Sequence, residues 1–345
     1  MIPPPRLALA PGYTISRVIK GGWQLAGGHG AIDRAAALAD MHAYVGAGVT
    51  TFDCADIYTG VEQLVGDFVR ARGGAADLQI HTKYVPDRDR LARVTRADVA
   101  AAIDRALARL GVEALDLVQF HWWDYAVAGL VEVAGWLTDE RTAGRIRHLG
   151  ATNFDTPTLT RLLDAGVPLV SHQVQYSVLD RRPAGAMQAL CEARGVRLLC
   201  YGTLAGGFLT GRYVGAAPPP DPLENRSLVK YRLVIDEAGG WPRFQRLLAV
   251  LAGVAAKHGV DTATVATAWV LTRPAVAAAI VGARHGRHLP ATLAAASLDL
   301  DAEDRQAIER AVAAGPDVPG DVYALERAPG GRHAAIMRYD LNASG

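Results

Sequence analysis

An acid, a phenol, an amine and an imidazole stand at or just past the ends of apolar runs in this chain. The run Val49 to Phe52 ends in Asp53, and a short loop then carries Tyr58. The segment LQIHTK ends in Lys83, and LDLVQFH ends in His121. A tyrosine with an ordinary pKa of about 10 keeps its proton at neutral pH and gives it up poorly. A nearby ammonium favours the phenolate and pulls that pKa down. A carboxylate beside the ammonium keeps it charged where burial would neutralise it. Together the four side chains can tune a phenol as a proton donor. Taken singly, each has an ordinary use: an Asp as a cap or turn former, a Tyr as a surface ring, a His in a core, a Lys lying along apolar surface.

The segments that must carry them alternate between short apolar runs and helix-like stretches. VIKGG precedes a helix over Asp33–Val45 with Asp33 as N-cap. VTTFD leads into a helix after Glu62, and LQIHTK into RADVAAAIDRALARLG, where Gly111 is the stop. LDLVQFH, IRHLGATNF, PLVSHQVQYS, VRLLCYG and AVAAAIVG continue the rhythm, the last before a helix over Leu289–Ala296. Strands buried on both faces read as short apolar runs, and this β-α alternation predicts a single-domain (β/α)₈ (TIM) barrel, whose chemistry sits at the C-terminal ends of its strands. An open doubly wound sheet is disfavoured, because GGWQLAGGHG does not fit G-x-G-x-x-G spacing and no phosphate-binding G-x-x-x-x-G-K-[ST] loop is present. Residues 6–17 suggest a hairpin closing the bottom of the barrel. The Pro- and Gly-rich connection from Gly202 to Gly240, after the seventh strand, reads as a long functional loop. The barrel core spans about residues 18–314 of one unit covering 1–345. The irregular tail 315–345 either closes the substrate mouth or packs along the barrel.

The chain has 345 residues, 50% hydrophobic, with a net charge of +1. Such a balance points to neither a nucleic-acid nor a membrane partner; self-association stays open. Cys54, Cys191 and Cys200 are far apart and read as reduced apolar fillers of a cytoplasmic protein, with Cys54 the one candidate for reactivity. The prolines of MIPPPRLALAPGY break any signal-peptide core, and Arg273 and Pro274 break the most apolar later stretch. The pair His285 and His288 lacks a third ligand and reads as a turn, so no metal is expected.

In order and spacing, FDCADIYTGVEQLVG, HTK, LDLVQFHW, ATNF, HQVQYS, YGTLAGGFLTGRY and IVGAR resemble the aldo-keto reductase superfamily, over about residues 18–296. The resemblance implies a catalytic set of Asp53, Tyr58, Lys83 and His121, with Tyr58 the general acid and His121 hydrogen-bonding the substrate carbonyl. It implies a nicotinamide cofactor held without a Rossmann motif. Thr152, Asn153 and Gln173 would grip the carboxamide, Tyr201 would stack on the ring, and Gly22, Trp23 and Asp53 would lie along the cofactor. Gly202, Thr203, Leu204, Gly206 and Arg212 match the loop over the pyrophosphate, with Arg226 a further phosphate contact. Gly282, Ala283, Arg284 and His288 match the adenosine end, where a guanidinium suits a 2′-phosphate and favours NADPH over NADH. The chain departs from the family pattern at His172, where relatives carry Asn, and at His288, Ala291 and Thr292.

The substrate wall is read as Trp23, Tyr58, Tyr84, His121, Trp122 and Trp123, with Tyr125 and Tyr176 as additions and Asp124 as a hydroxyl binder. Flat aromatic rings suit sugar faces and aryl groups alike. The expected function is NADPH-dependent reduction of a small-molecule aldehyde or ketone, sugar-derived carbonyls included. An NAD(P)-dependent sugar or alcohol dehydrogenase, and a cofactor-sensing regulatory subunit, are the alternatives.

Overall fold

Parallel pairing closes the barrel strands on one another. The structure is a computed structural model and describes residues 3–282 and 286–342. An antiparallel hairpin, β1 (Arg6–Ala10) and β2 (Tyr13–Ser16), comes first. The strands β3 (Val18–Gly21), β4 (Thr51–Asp53), β5 (Gln79–Tyr84), β6 (Leu115–Phe120), β7 (Ile146–Thr152), β8 (Leu169–Gln175), β9 (Arg197–Tyr201) and β10 (Val276–Gly282) then run parallel, and β10 pairs with β3 to close the ring. These are the expected eight apolar runs. The hairpin fills the bottom as anticipated: Leu9, Tyr13 and Ile15 pack with Ile19, Leu117, Leu199 and Ala278.

Helices cover the outside: α1 (Arg34–Gly46), α2 (Val61–Ala71), α3 (Arg96–Leu110), α4 (Leu130–Thr142), α5 (Thr156–Asp164), α6 (Ala186–Arg194), α7 (Arg226–Glu237), α8 (Gly240–His258), α9 (Thr262–Leu271), α10 (Leu289–Ser297) and α11 (Ala302–Ala313), followed in the tail by the short α12 (Ala324–Arg327) and α13 (Arg332–Ala335). Asp33 caps α1 by accepting from the Ala36 amide at 3.1 Å, and Gly111 ends α3 at φ 68°.

The connection after β9 differs from the expectation of a plain loop, because it contains α7. Asn225 accepts from the Leu228 amide as its N-cap, and Leu228, Tyr231, Val234 and Ile235 recur at helical spacing on the buried face. The start of α7 packs against the turn at Gly202–Gly207. Gly206 lies at φ 67°, and a Cβ there would come within 2.8 Å of the Tyr231 ring and 3.0 Å of the Ser227 carbonyl.

Candidate active site

Strand parity decides which side chains reach the barrel mouth. Thr51 and Asp53, His81 and Lys83, Leu117, Gln119 and His121 alternate with residues that face the helices. Asp53, Lys83 and His121 thereby line one cleft of ≈ 1480 Å³, and Tyr58 joins them from the loop after β4. Lys83 Nζ donates to Asp53 Oδ2 at 2.6 Å and to the Cys54 carbonyl at 2.8 Å. Its ammonium also lies 4.9 Å from the centre of the Tyr58 ring.

Gln119, which the sequence reading passed over, completes the base of this group. Its amide donates to Asp53 Oδ1 at 2.8 Å, and the Gln173 amide donates to the same oxygen at 2.7 Å. The signal was a polar residue on the same strand face as His121, within an apolar run.

Burial and charge set the protonation states. Burial works against the Lys83 charge, but Asp53 and the Tyr58 phenol outweigh it and hold Lys83 above the usual lysine value. For Tyr58 the balance differs from the expected net lowering. Burial pushes the phenol up, and Lys83 only partly offsets this through its charge and a hydrogen bond, opposed by Asp53. Burial and the Arg327 guanidinium bring His121 down to about 3, so at neutral pH its ring carries one proton. His121 Nδ1 lies 2.9 Å from the Thr152 carbonyl. A carbonyl oxygen only accepts, so that proton sits on Nδ1.

The residues matched to the cofactor mostly come together. Trp23, Thr152, Asn153, Gln173, Tyr201, Gly202, Thr203, Leu204, Gly206, Arg212, Gly282 and His288 all line the cleft, as does Arg226. Gly22 does not: its amide donates to the Asp53 carbonyl, a Cβ there would meet Val61, and Gly21 faces the cleft instead. Ala283 and Arg284 lie outside the described residues. His172 is turned from the cleft and accepts the Phe154 amide at 3.0 Å, so it does not replace the family's Asn.

The amides fit a carboxamide by proton count. Gln173 spends both amide protons on Asp53 and Gln119, which leaves its oxygen to accept. Asn153, at φ 61°, accepts the Tyr201 hydroxyl at 2.8 Å, which leaves its NH₂ to donate. One acceptor and one donor side by side complement a carboxamide's NH₂ and C=O.

Five substrate-site expectations fail, and parity explains the first two. Lys83 and His121 point inward, so Tyr84 and Trp122 point outward. Tyr84 is buried, with its ring 6.2 Å from that of Phe120, and Trp122 is fully buried, donating to the Val127 carbonyl at 3.1 Å. Tyr176 packs against Trp269, and Tyr125 accepts the Asp155 amide beneath the Arg327 guanidinium. Asp124 is likewise taken up, by Arg88 and the Ala126 amide. Trp23, whose ring lies 5.2 Å from that of Tyr58, and Trp123, whose ring lies 4.4 Å from that of His121, line the cleft.

The tail supplies the rest, through residues the sequence reading missed. Tyr323, Ile336, Met337 and Leu341 line the cleft, which decides between the two readings of this segment in favour of the mouth. Arg327 donates to the carbonyls of Trp122, Trp123 and Asn153 at 3.0, 3.3 and 2.7 Å. Glu326 accepts from Arg182 at 2.9 Å and lies 3.4 Å from Lys230. Cys54 is buried, donates to the His81 carbonyl, and has its thiol pushed up by burial, which fits a filler. Among the described residues no cluster of His, Cys, Asp and Glu could hold a metal, and no helix is long and apolar enough to cross a membrane.

A parallel barrel with a buried Lys–Asp pair beside a tyrosine at its C-terminal rim defines a class of nicotinamide-dependent barrel oxidoreductases. Residues 17–313 match the Aldo/keto reductase family, and the chain belongs to that family. It is an NAD(P)H-dependent aldo-keto reductase. It is 30% identical to the chloroplastic pyridoxal reductase of Arabidopsis thaliana, over 78% of this chain and 74% of that one. It is 34% identical to flagellar radial spoke protein 5 of Chlamydomonas reinhardtii over 62% of this chain, and the match spans about half (48%) of that longer protein. The fold is shared with the glycerol dehydrogenase AKR11B4 of Gluconobacter oxydans, with a TM-score of 0.76 at 23% identity, covering 93% of this chain and 97% of that one.

Proposed function

We propose that the chain reduces a small aldehyde or ketone to an alcohol with NADPH, and that Tyr58 is its general acid. The observation that carries the reading is the Tyr58–Lys83–Asp53 arrangement at the cleft, with Lys83 held charged by Asp53 at 2.6 Å. The nicotinamide, when bound, supplies the hydride. Asn153 and Gln173 offer the donor and acceptor for its carboxamide, and Tyr201 offers the face of its ring. The glycine turn at Gly202–Gly207 with Arg212 and Arg226 offers amides and guanidinium groups to the phosphates. Arg287, at the His288 end of the same cleft, supports NADPH over NADH, because a guanidinium suits a 2′-phosphate.

Tyr58 gives its proton to the oxygen that becomes the alcohol, and Lys83 stabilises the phenolate left behind. Asp53, Gln119 and Gln173 keep the ammonium in place while this happens. Trp23, Trp123 and Tyr323 shield the reacting carbon from water.

The test is steady-state oxidation of NADPH and NADH across a panel of aldehydes and ketones, with wild type and Tyr58→Phe. The expected result is turnover that prefers NADPH and a drop of about 10²–10⁴ in kcat for the variant, the usual worth of general acid catalysis. A Tyr58→Phe variant with unchanged kcat would overturn the assignment.

A further inference from the structure

The tail crosses the cleft as a strap, and one of its cations is left without an anion. At one end of the strap the Arg226 guanidinium, at the start of α7, donates to the Ile336 carbonyl at 3.1 Å. At the other end the Leu341 amide donates to Asp87 Oδ1 at 3.0 Å and the Asn342 side chain to the Val85 carbonyl at 2.7 Å, just past the end of β5. Between these ties, Met337 and Arg338 line the cleft. Arg338 is exposed and makes no hydrogen bond or ion pair among the described residues. Arg226 has no ion pair there either, and burial together with the Arg338 charge lowers its pKa. The carboxylates that line this cleft are placed elsewhere: Asp53 holds Lys83, Glu224 holds Arg212 at 3.0 Å, and Asp261 precedes α9. Two guanidinium groups thus repel one another across the strap until an anion comes between them.

We propose that Arg338 is a cofactor-binding residue carried by the tail: with Arg226 it clamps the pyrophosphate, so that the bound dinucleotide fastens the strap over the mouth. Arg226 adjoins the glycine turn, since the Ser227 carbonyl, one residue on, lies 3.0 Å from where a Cβ of Gly206 would stand. Arg287 stands at the other end of the cleft, beside His288, and Arg212 already carries Glu224. Arg226 and Arg338 are therefore the guanidinium groups left for the middle of the cofactor. Arginine suits the place, because its fork takes two phosphate oxygens at once. Met337 and Leu341, on either side of Arg338 along the chain, line the same cleft and are drawn in with it, which completes the substrate wall as the cofactor binds. The inference rests on the placing of the phosphates proposed above. It is independent of Tyr58 and of the carbonyl substrate.

Binding is read without turnover, from the quenching of tryptophan fluorescence as NADPH or NADH is titrated into wild type, Arg338→Ala and Arg338→Lys. Arg338→Ala is expected to weaken both cofactors about ten- to a hundredfold, the worth of one charge-assisted hydrogen bond. The pyrophosphate is common to the two, so the loss is the same for each, and Arg338→Lys recovers part of it. The side chain is exposed and without a partner, so thermal unfolding of the cofactor-free variants stays at the wild-type temperature. Hydrogen exchange over residues 335–342 is expected to slow when NADPH is added to wild type and to stay unchanged in Arg338→Ala. Wild-type affinity of Arg338→Ala for both cofactors overturns the inference. So does a loss confined to NADPH, which would move Arg338 to the 2′-phosphate. Unchanged affinities with a raised KM for 4-carboxybenzaldehyde, but not for benzaldehyde, overturn it in favour of an anionic group on the substrate. Wild type that binds cofactor but reduces no carbonyl would sink the proposed function alone, and the affinities would still decide the role of Arg338.

Discussion

Asp53 holds three side chains at once, and the state of Tyr58 depends on it. One oxygen takes the Lys83 ammonium and the other takes the amides of Gln119 and Gln173, all buried. In Asp53→Asn the ammonium loses its counter-charge, and a new NH₂ faces donors. Breaking a buried pair on one side costs about 3–5 kcal/mol, so the variant is expected to lose that much in urea unfolding. The sign of its pH dependence follows from Lys83, whose folded pKa lies above its unfolded value of about 10.4. Its contribution is complete below that pH and is lost as pH rises beyond it. The gap between wild type and variant should therefore be flat from pH 6 to 9 and shrink only in strong alkali. A gap that shrinks between pH 6 and 9 would show that Lys83 is not held charged.

At the scale of elements, strands and their tips were open to reading from sequence, while the tail was not. Apolar runs between turn signals set β3 to β10, and the residues ending those runs fell at the rim because parallel strands share a direction. Side-chain facing was harder. Tyr84 and Trp122 were placed in the wall by proximity to Lys83 and His121, and alternation sent them the other way. The helix α7 was hidden by the prolines before it, although its Asn225 cap and apolar spacing were visible. The tail has no comparable local signal, because its anchors are distant partners: Arg327 on loops after β6 and β7, and Glu326 on Arg182. Arg327→Ala removes charge-assisted bonds to three carbonyls, two of them next to His121 and one on Asn153. The expected loss is about 3 kcal/mol, each such bond being worth roughly 1.5–3 before the tail's own ordering is counted. Hydrogen exchange over residues 321–342 should rise in parallel, and unchanged protection there would show that the segment docks without Arg327.

For the whole molecule, the barrel interior makes acid its weak side. Burial dominates at three buried barrel histidines, bringing His81 to about 4 against the opposing Asp53 charge, and His121 and His172 to about 3, with Lys83 adding to the effect on His81 and Arg327 on the others. Each has a use for the neutral ring: His81 meets the Tyr13 phenol at 3.0 Å, His121 donates to Thr152, and His172 accepts the Phe154 amide. A group whose folded pKa is depressed stabilises above its unfolded value and loses that contribution as pH falls toward the folded value. Here the window runs from about pH 6.5, the unfolded histidine value, down to about 3–4. Glu326 acts in the same direction lower down: burial alone would raise it, but Lys230 and Arg182 bring it to about 2, so its contribution fades below about pH 4.3. Three histidines taking up protons only on unfolding give a slope of about 4 kcal/mol per pH unit, at 1.36 for each. Set against a total stability of roughly 5–15 kcal/mol, that slope exhausts the fold within a few pH units. Urea unfolding at pH 7, 6, 5 and 4 is expected to show stability falling steadily below about pH 6.5, and His172→Gln should lower the slope by about one third, being one of three equal terms. Stability that stayed level down to pH 4 would mean that these rings already carry a second proton in the folded barrel.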